Sequence, residues 1–146
     1  MSLNEILAAN PVMPVVVVES AQQGVQVGHA LLKGGITTAE VTFRTAAAPQ
    51  AIAEMSQIEG LVVGAGTVLN PKQAQAAIEA GARYIVSPGF SADVVRFCQE
   101  ADVPVLPACP DPTLIMAALE LGLDVVKFFP ANIMGGIPAI KSYAAV

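Results

Sequence analysis

Leu61-Val62-Val63-Gly64-Ala65-Gly66-Thr67-Val68, with Asn70-Pro71 behind it, spells one complete passage from strand to helix. The apolar run is too short for an ordinary helix and opens with β-branched residues, so it reads as a buried strand. Asn70 has the side chain of a helix N-cap, and Pro71 suits the first helical position, where a missing N–H costs no hydrogen bond. Gly81 then closes that helix, because glycine enters the left-handed region without steric penalty.

The same unit recurs on both sides. Upstream, residues 37–43 read as a strand and 46–58 as a helix ending at Gly60; before them come a strand within 12–18 and a helix over 20–33, stopped by Gly34-Gly35. Ser2-Leu3-Asn4-Glu5 has the form of a capping box, which predicts a short helix through Ala9. Downstream, the pattern predicts strands at 84–87, 104–106 and 124–130, helices from Ser91 to about 101 and from Asp111-Pro112 to Gly122, and a last helix over 135–146. Gly35, Gly60, Gly81 and Gly122 fall at multiples of roughly 20 to 25 residues, the length of one unit. Six units in a row imply a parallel sheet with right-handed crossovers. Either an open parallel α/β sheet or a (β/α)8 barrel accepts that pattern. The barrel typically takes about 250 residues and eight units, so two units would be absent from a single barrel domain over residues 1–146.

Composition narrows the function classes. Hydrophobic residues make up 54% of the chain and charged residues only 13%, which suits a sheet covered on both faces. No apolar run reaches the roughly 18 residues of a membrane helix, and the first five residues lack the basic start of a signal peptide, so a cytoplasmic protein with no membrane partner is expected. Seven Lys and Arg in a chain of net charge −5 leave no cationic cluster for nucleic acid. Cys98 and Cys109 lack C-x-x-C spacing, and His29, the single histidine, has no Cys or carboxylate at ligand spacing. No metal or redox centre is expected from them, and both cysteines should be buried free thiols.

Chemistry concentrates at the ends of the strands. In Val125-Val126-Lys127-Phe128-Phe129-Pro130 a lysine interrupts an apolar run. Burying an ammonium costs several kcal/mol unless it is paired or deprotonated, and a neutral amine is a nucleophile toward carbonyl carbon. The structural alternative is a stem packed on Phe128 or Phe129 with its head in water. In Thr38-Ala39-Glu40-Val41-Thr42-Phe43-Arg44, strand alternation places Thr38, Glu40, Thr42 and Arg44 on one face. That face offers either an internal Glu40–Arg44 pair or a carboxylate acid/base beside a guanidinium that receives an anion. Thr67, Pro88 and Lys127 also fall at strand ends, the edge where parallel α/β proteins bind ligands. Gly64-Ala65-Gly66-Thr67 matches neither a dinucleotide fingerprint nor a P-loop, and its small residues are expected to leave room for a substrate.

These residues, in order and spacing, resemble a known family. Glu40-Val41-Thr42-Phe43-Arg44-Thr45, the run from Val63 to Pro71, Ser87-Pro88-Gly89 and Lys127-Phe128-Phe129-Pro130-Ala131 resemble the 2-keto-3-deoxy-6-phosphogluconate (KDPG) aldolases, which also act on 4-hydroxy-2-oxoglutarate (KHG). The resemblance implies a (β/α)8 barrel, a class I aldolase with no metal or other cofactor, a 2-keto acid substrate and a homotrimer. By position, Lys127 resembles the Schiff-base lysine and Glu40 the general acid/base; Arg44 and Thr67 resemble the residues that hold the substrate carboxylate, and Pro88 and Phe129 the pocket walls. Two departures stand out. Where the family usually has Pro-Gly-x-Ser/Ala-Thr, this chain has Pro107-Ala108-Cys109-Pro110-Asp111. The family also continues for about two more strand-helix units, so the chain is expected to be a C-terminally truncated aldolase with unpaired edges at its first and sixth strands. A phosphosugar isomerase or epimerase, with Lys127 as an electrostatic anchor, and a non-catalytic fragment are the alternatives.

Overall fold

The computed structural model describes residues 2–145. It contains α1 (Leu3–Ala9), β1 (Val15–Val16), α2 (Ala21–Lys33), β2 (Thr38–Thr42), α3 (Ala48–Met55), β3 (Val62–Gly66), α4 (Pro71–Glu79), β4 (Ile85–Ser87), α5 (Ala92–Glu100), β5 (Val105–Pro107), α6 (Pro112–Glu120) and α7 (Gly136–Tyr143). Val146, the end of the expected last helix, lies outside the described residues.

Local signals account for most boundaries. Ser2 and Glu5 exchange both bonds of the capping box. The side chains of Ser20, Asn70, Ser91 and Asp111 each accept the N–H of the residue three positions on, contributing about 1 kcal/mol per cap. The third helix is shorter than expected at both ends, and Ala47 at its start gives it no side-chain cap.

All strand pairings are parallel, in the order β1-β2-β3-β4-β5. No strand is inserted out of turn, so right-handed crossovers leave the returning helices on one side. This is how a (β/α) barrel is laid down, whereas a doubly wound sheet reverses its order at a switch point. Ala39, Val41, Val63, Ala65, Ile85 and Val105 pack outward against apolar residues of α2 to α5. The alternate positions face inward, where Tyr84, Val86 and Leu106 cluster with Ile6 of α1. The first helix thus plugs the N-terminal mouth of the arc. Buried Asn10 fixes it there, its Oδ1 accepting from the Thr37 N–H at 3.2 Å and the Thr37 hydroxyl at 2.7 Å.

One strand is not formed as expected. Residues 124–130 make no regular strand; Lys127 is held against β5 by an isolated parallel bridge to Ala108. The Lys127 N–H donates to the Pro107 carbonyl at 2.9 Å and the Lys127 carbonyl accepts from Cys109 at 2.8 Å. Pairing cannot spread toward Val125, because Pro107, whose N–H would donate next on this edge, has none. The arc therefore has five strands with the sixth reduced to a bridge at its lysine.

Candidate active site

The inward face of β2 carries Thr38, Glu40 and Thr42, as the alternation requires, and Arg44 follows in the turn that leaves the strand. Their partners differ from the internal pair that the sequence permits. Glu40 Oε1 lies 3.8 Å from Lys127 Nζ, across the barrel interior, and the Glu40 side chain is only 6% exposed. Arg44 reaches the neighbouring strand, its Nε donating to Thr67 Oγ1 at 3.3 Å. Thr42 is tied by its hydroxyl to the Val16 carbonyl. Lys127 keeps 23% of its side chain exposed, less buried than its apolar run suggests, and its Nζ sits 4.9 Å from the centre of the Phe129 ring. Pro88 is exposed immediately after β4, at the same edge but outside these contacts.

Burial pushes the Glu40 carboxyl above the usual carboxylate range, and the charges of Lys127 and Arg44 pull it partly back. The result is a carboxyl that is a stronger base than a solvated glutamate, within proton-transfer reach of an amine once the pair tightens. Thr67 adopts a positive φ of 57°. For a β-branched residue this is a strained conformation, and it aims the hydroxyl that Arg44 uses.

The two glycines of β3 are not open space for a substrate, which corrects the expectation. Gly64 pairs in register with Glu40, and its interior side is filled by the Tyr84 ring from β4. Gly66 pairs with Thr42, and its interior side is filled by the Glu40 carboxyl itself, with Cγ only 2.6 Å from where a Cβ would stand. Each glycine is needed because a neighbouring strand's side chain lies across it. The departing segment after β5 also has structural work: Ala108 forms the bridge to Lys127, and Asp111 caps α6 through Leu114 N–H at 3.1 Å. Cys98 and Cys109 are buried free thiols, each pushed up by burial to about 11. Among the described residues no three His, Cys, Asp or Glu gather as a metal site, and no helix is long and apolar enough to cross a membrane. A groove of about 670 Å³ beside Arg83 and Asp102 lies at the opposite, N-terminal edge, where barrels carry stability rather than chemistry.

Residues 3–146 match the family described as KDPG and KHG aldolase. The chain belongs to this family. It is 43% identical over 99% of its length to the 2-dehydro-3-deoxy-phosphogluconate aldolase of Zymomonas mobilis, of which it spans 69%. It is 38% identical over 98% of its length to the KHG/KDPG aldolase of Escherichia coli, of which it spans 68%. Among solved structures, a KDPG aldolase of Legionella pneumophila, with pyruvate captured at low pH as a covalent carbinolamine intermediate, matches at a TM-score of 0.92. That match has 35% identity over 97% of this chain and 69% of the other.

Within the aldolase, sequence reasoning misread Gly64 and Gly66 and missed the Tyr84 ring that lies over Gly64. The signal was present in period-2 spacing: Gly64 and Gly66 lie on the same face of β3 as Glu40 and Thr42 on β2, so their missing side chains had to be filled from next door.

Proposed function

We propose that this chain is a class I aldolase that cleaves KDPG to pyruvate and glyceraldehyde 3-phosphate, and KHG to pyruvate and glyoxylate. Lys127 is the nucleophile, and the observation that carries the reading is its amine 3.8 Å from the buried carboxyl of Glu40. Glu40 takes the ammonium proton and Lys127 attacks the 2-keto carbon, giving a carbinolamine. Glu40 returns a proton to the departing hydroxyl, water leaves, and an iminium forms. The iminium draws in the C3–C4 bonding electrons while Glu40, directly or through water, accepts the C4 hydroxyl proton. The aldehyde departs, leaving an enamine of pyruvate, which is protonated at C3 and hydrolysed to free the lysine. Proton transfer of this kind contributes about 10²- to 10⁴-fold.

Arg44, braced by Thr67, supplies a fixed cation for the substrate carboxylate. Phe129 and Pro88 wall the pocket, and the Phe129 ring also steadies the Lys127 cation before it loses its proton. The reaction runs through the covalent imine and asks for no metal or other cofactor. A cytoplasmic homotrimer accompanies this reading, supported by the exposed apolar Met116 and Leu119 on α6, which an interface would cover.

Pyruvate release from KDPG tests the proposal. The chain should release it, and Lys127→Met should lose more than about 10³-fold, as expected for removal of a covalent nucleophile. Release that survives in Lys127→Met would contradict the assignment.

A further inference from the structure

Tyr84 is the largest fully buried side chain, and the mechanism leaves it without a task. Its position is nevertheless tied to the strand that carries Glu40. The ring starts from the residue just before β4, crosses Gly64 on β3 and ends with its hydroxyl 2.9 Å from Thr38 Oγ1 on β2, which in turn donates to the Val62 carbonyl at 3.0 Å. Glu40 is the register partner of Gly64, and its carboxyl rises from there to lie against Gly66, two residues nearer the ligand edge. The Tyr84 ring therefore occupies the layer directly below the carboxyl, and Ile6, Val86 and Leu106 close the space around it.

We propose that Tyr84 is a positioning residue whose ring seals the underside of the Glu40 carboxyl, so that this group meets water and substrate only from the Lys127 side. The inference rests on the role given to Glu40 above, and it adds the element that controls that group's hydration. Without the ring, the space beside the Thr38 hydroxyl and the Glu40 carboxyl would have polar partners and room for a water, the conditions under which buried water is held. A carboxylate hydrated from below is easier to ionise, because its burial penalty falls. The charged and titratable groups around Glu40 among the described residues are Lys127, Arg44 and Tyr84 itself. Lys127 and Arg44 favour the carboxylate in wild type and variants alike. Tyr84 stays neutral, since burial and the nearby Glu40 charge push its hydroxyl well above its ordinary range. The ring is thus the part of this environment that a substitution can remove without touching a charge.

The experiment is a pH titration of the glutamate side-chain carboxyl carbons by NMR on the full chain, with the Glu40 signal assigned from its loss in Glu40→Gln. Tyr84→Phe keeps the ring and should leave the Glu40 midpoint where it stands in the wild type. Tyr84→Ala, and Tyr84→Leu as the variant that retains more packing, should lower the midpoint by at least about half a pH unit. Folding is checked on the amide spectrum of each sample. An unchanged midpoint in folded Tyr84→Leu or Tyr84→Ala, or a fall in Tyr84→Phe of the same size, overturns the proposal. The titration needs no turnover, so it separates this inference from the aldolase assignment: absence of a pyruvate adduct on wild-type Lys127 would defeat the latter alone.

Discussion

The carboxyl of Glu40 lies in the space that Gly66 leaves empty, so a residue without a side chain on one strand decides where a buried carboxyl of the next strand points. A methyl group there would drive the carboxyl out of its seat and away from Lys127. Gly66→Ala should keep the fold and lose on the order of 10²-fold in kcat/KM, the low end of what a positioned acid/base supplies. Gly64→Ala meets the Tyr84 ring instead, and should destabilise by about 1–3 kcal/mol as an overpacked core does. Denaturation and steady-state kinetics on the two variants would expose any reversal of these effects.

Glu40 also makes stability depend on pH. The folded state raises its proton affinity, chiefly by burial, so folding binds a proton more tightly than unfolding does. Its contribution is greatest when pH lies below the ordinary value of 4.5 and is lost as pH rises through the raised folded value. Glu40→Gln cannot ionise and should gain stability relative to the wild type across that rise. Urea melts from pH 4 to pH 8 should show the difference widening with pH; a difference that narrows contradicts the burial argument.

Thr67 sets strain against function. Its φ of 57° suits glycine, and such backbone strain costs about 1–3 kcal/mol. Thr67→Gly should therefore be no less stable than the wild type, although it loses the hydroxyl that braces Arg44. KM for the keto acid should rise with little change in kcat. A melting temperature that falls sharply would show that the conformation is not strained.

Arg44→Lys retains the charge but gives up the planar fork that holds a carboxylate with two bonds. A rise in KM of about tenfold, equivalent to about 1.4 kcal/mol, is expected, with the Lys127 adduct still formed at saturating pyruvate. Unchanged KM would remove Arg44 from the carboxylate site.

The fold was legible where a single residue has one cheap conformation. Ser2, Ser20, Asn70, Ser91 and Asp111 start helices, and Gly35, Gly60, Gly81 and Gly122 all take positive φ as their spacing implied. Glu40 and Arg44 were legible as inward groups because strand alternation leaves no other choice. Their partners were not. Whether Glu40 meets Arg44 or Lys127 depends on how strands far apart in the chain converge, and local pattern does not encode that distance. The lysine segment misled for a related reason: its residues favour a strand, but Pro107 on the neighbouring strand lacks the N–H that would carry the pairing beyond the bridge.

Whether Lys127 forms the imine is decided by reductive trapping. Pyruvate and borohydride are added to the folded chain, and the product is read by intact mass and peptide mapping. One pyruvate-derived adduct is expected, confined to the peptide bearing Lys127, absent in Lys127→Met and formed more slowly in Glu40→Gln. A folded chain that gives no adduct, or gives it at Lys33, Lys72 or Lys141, would contradict it.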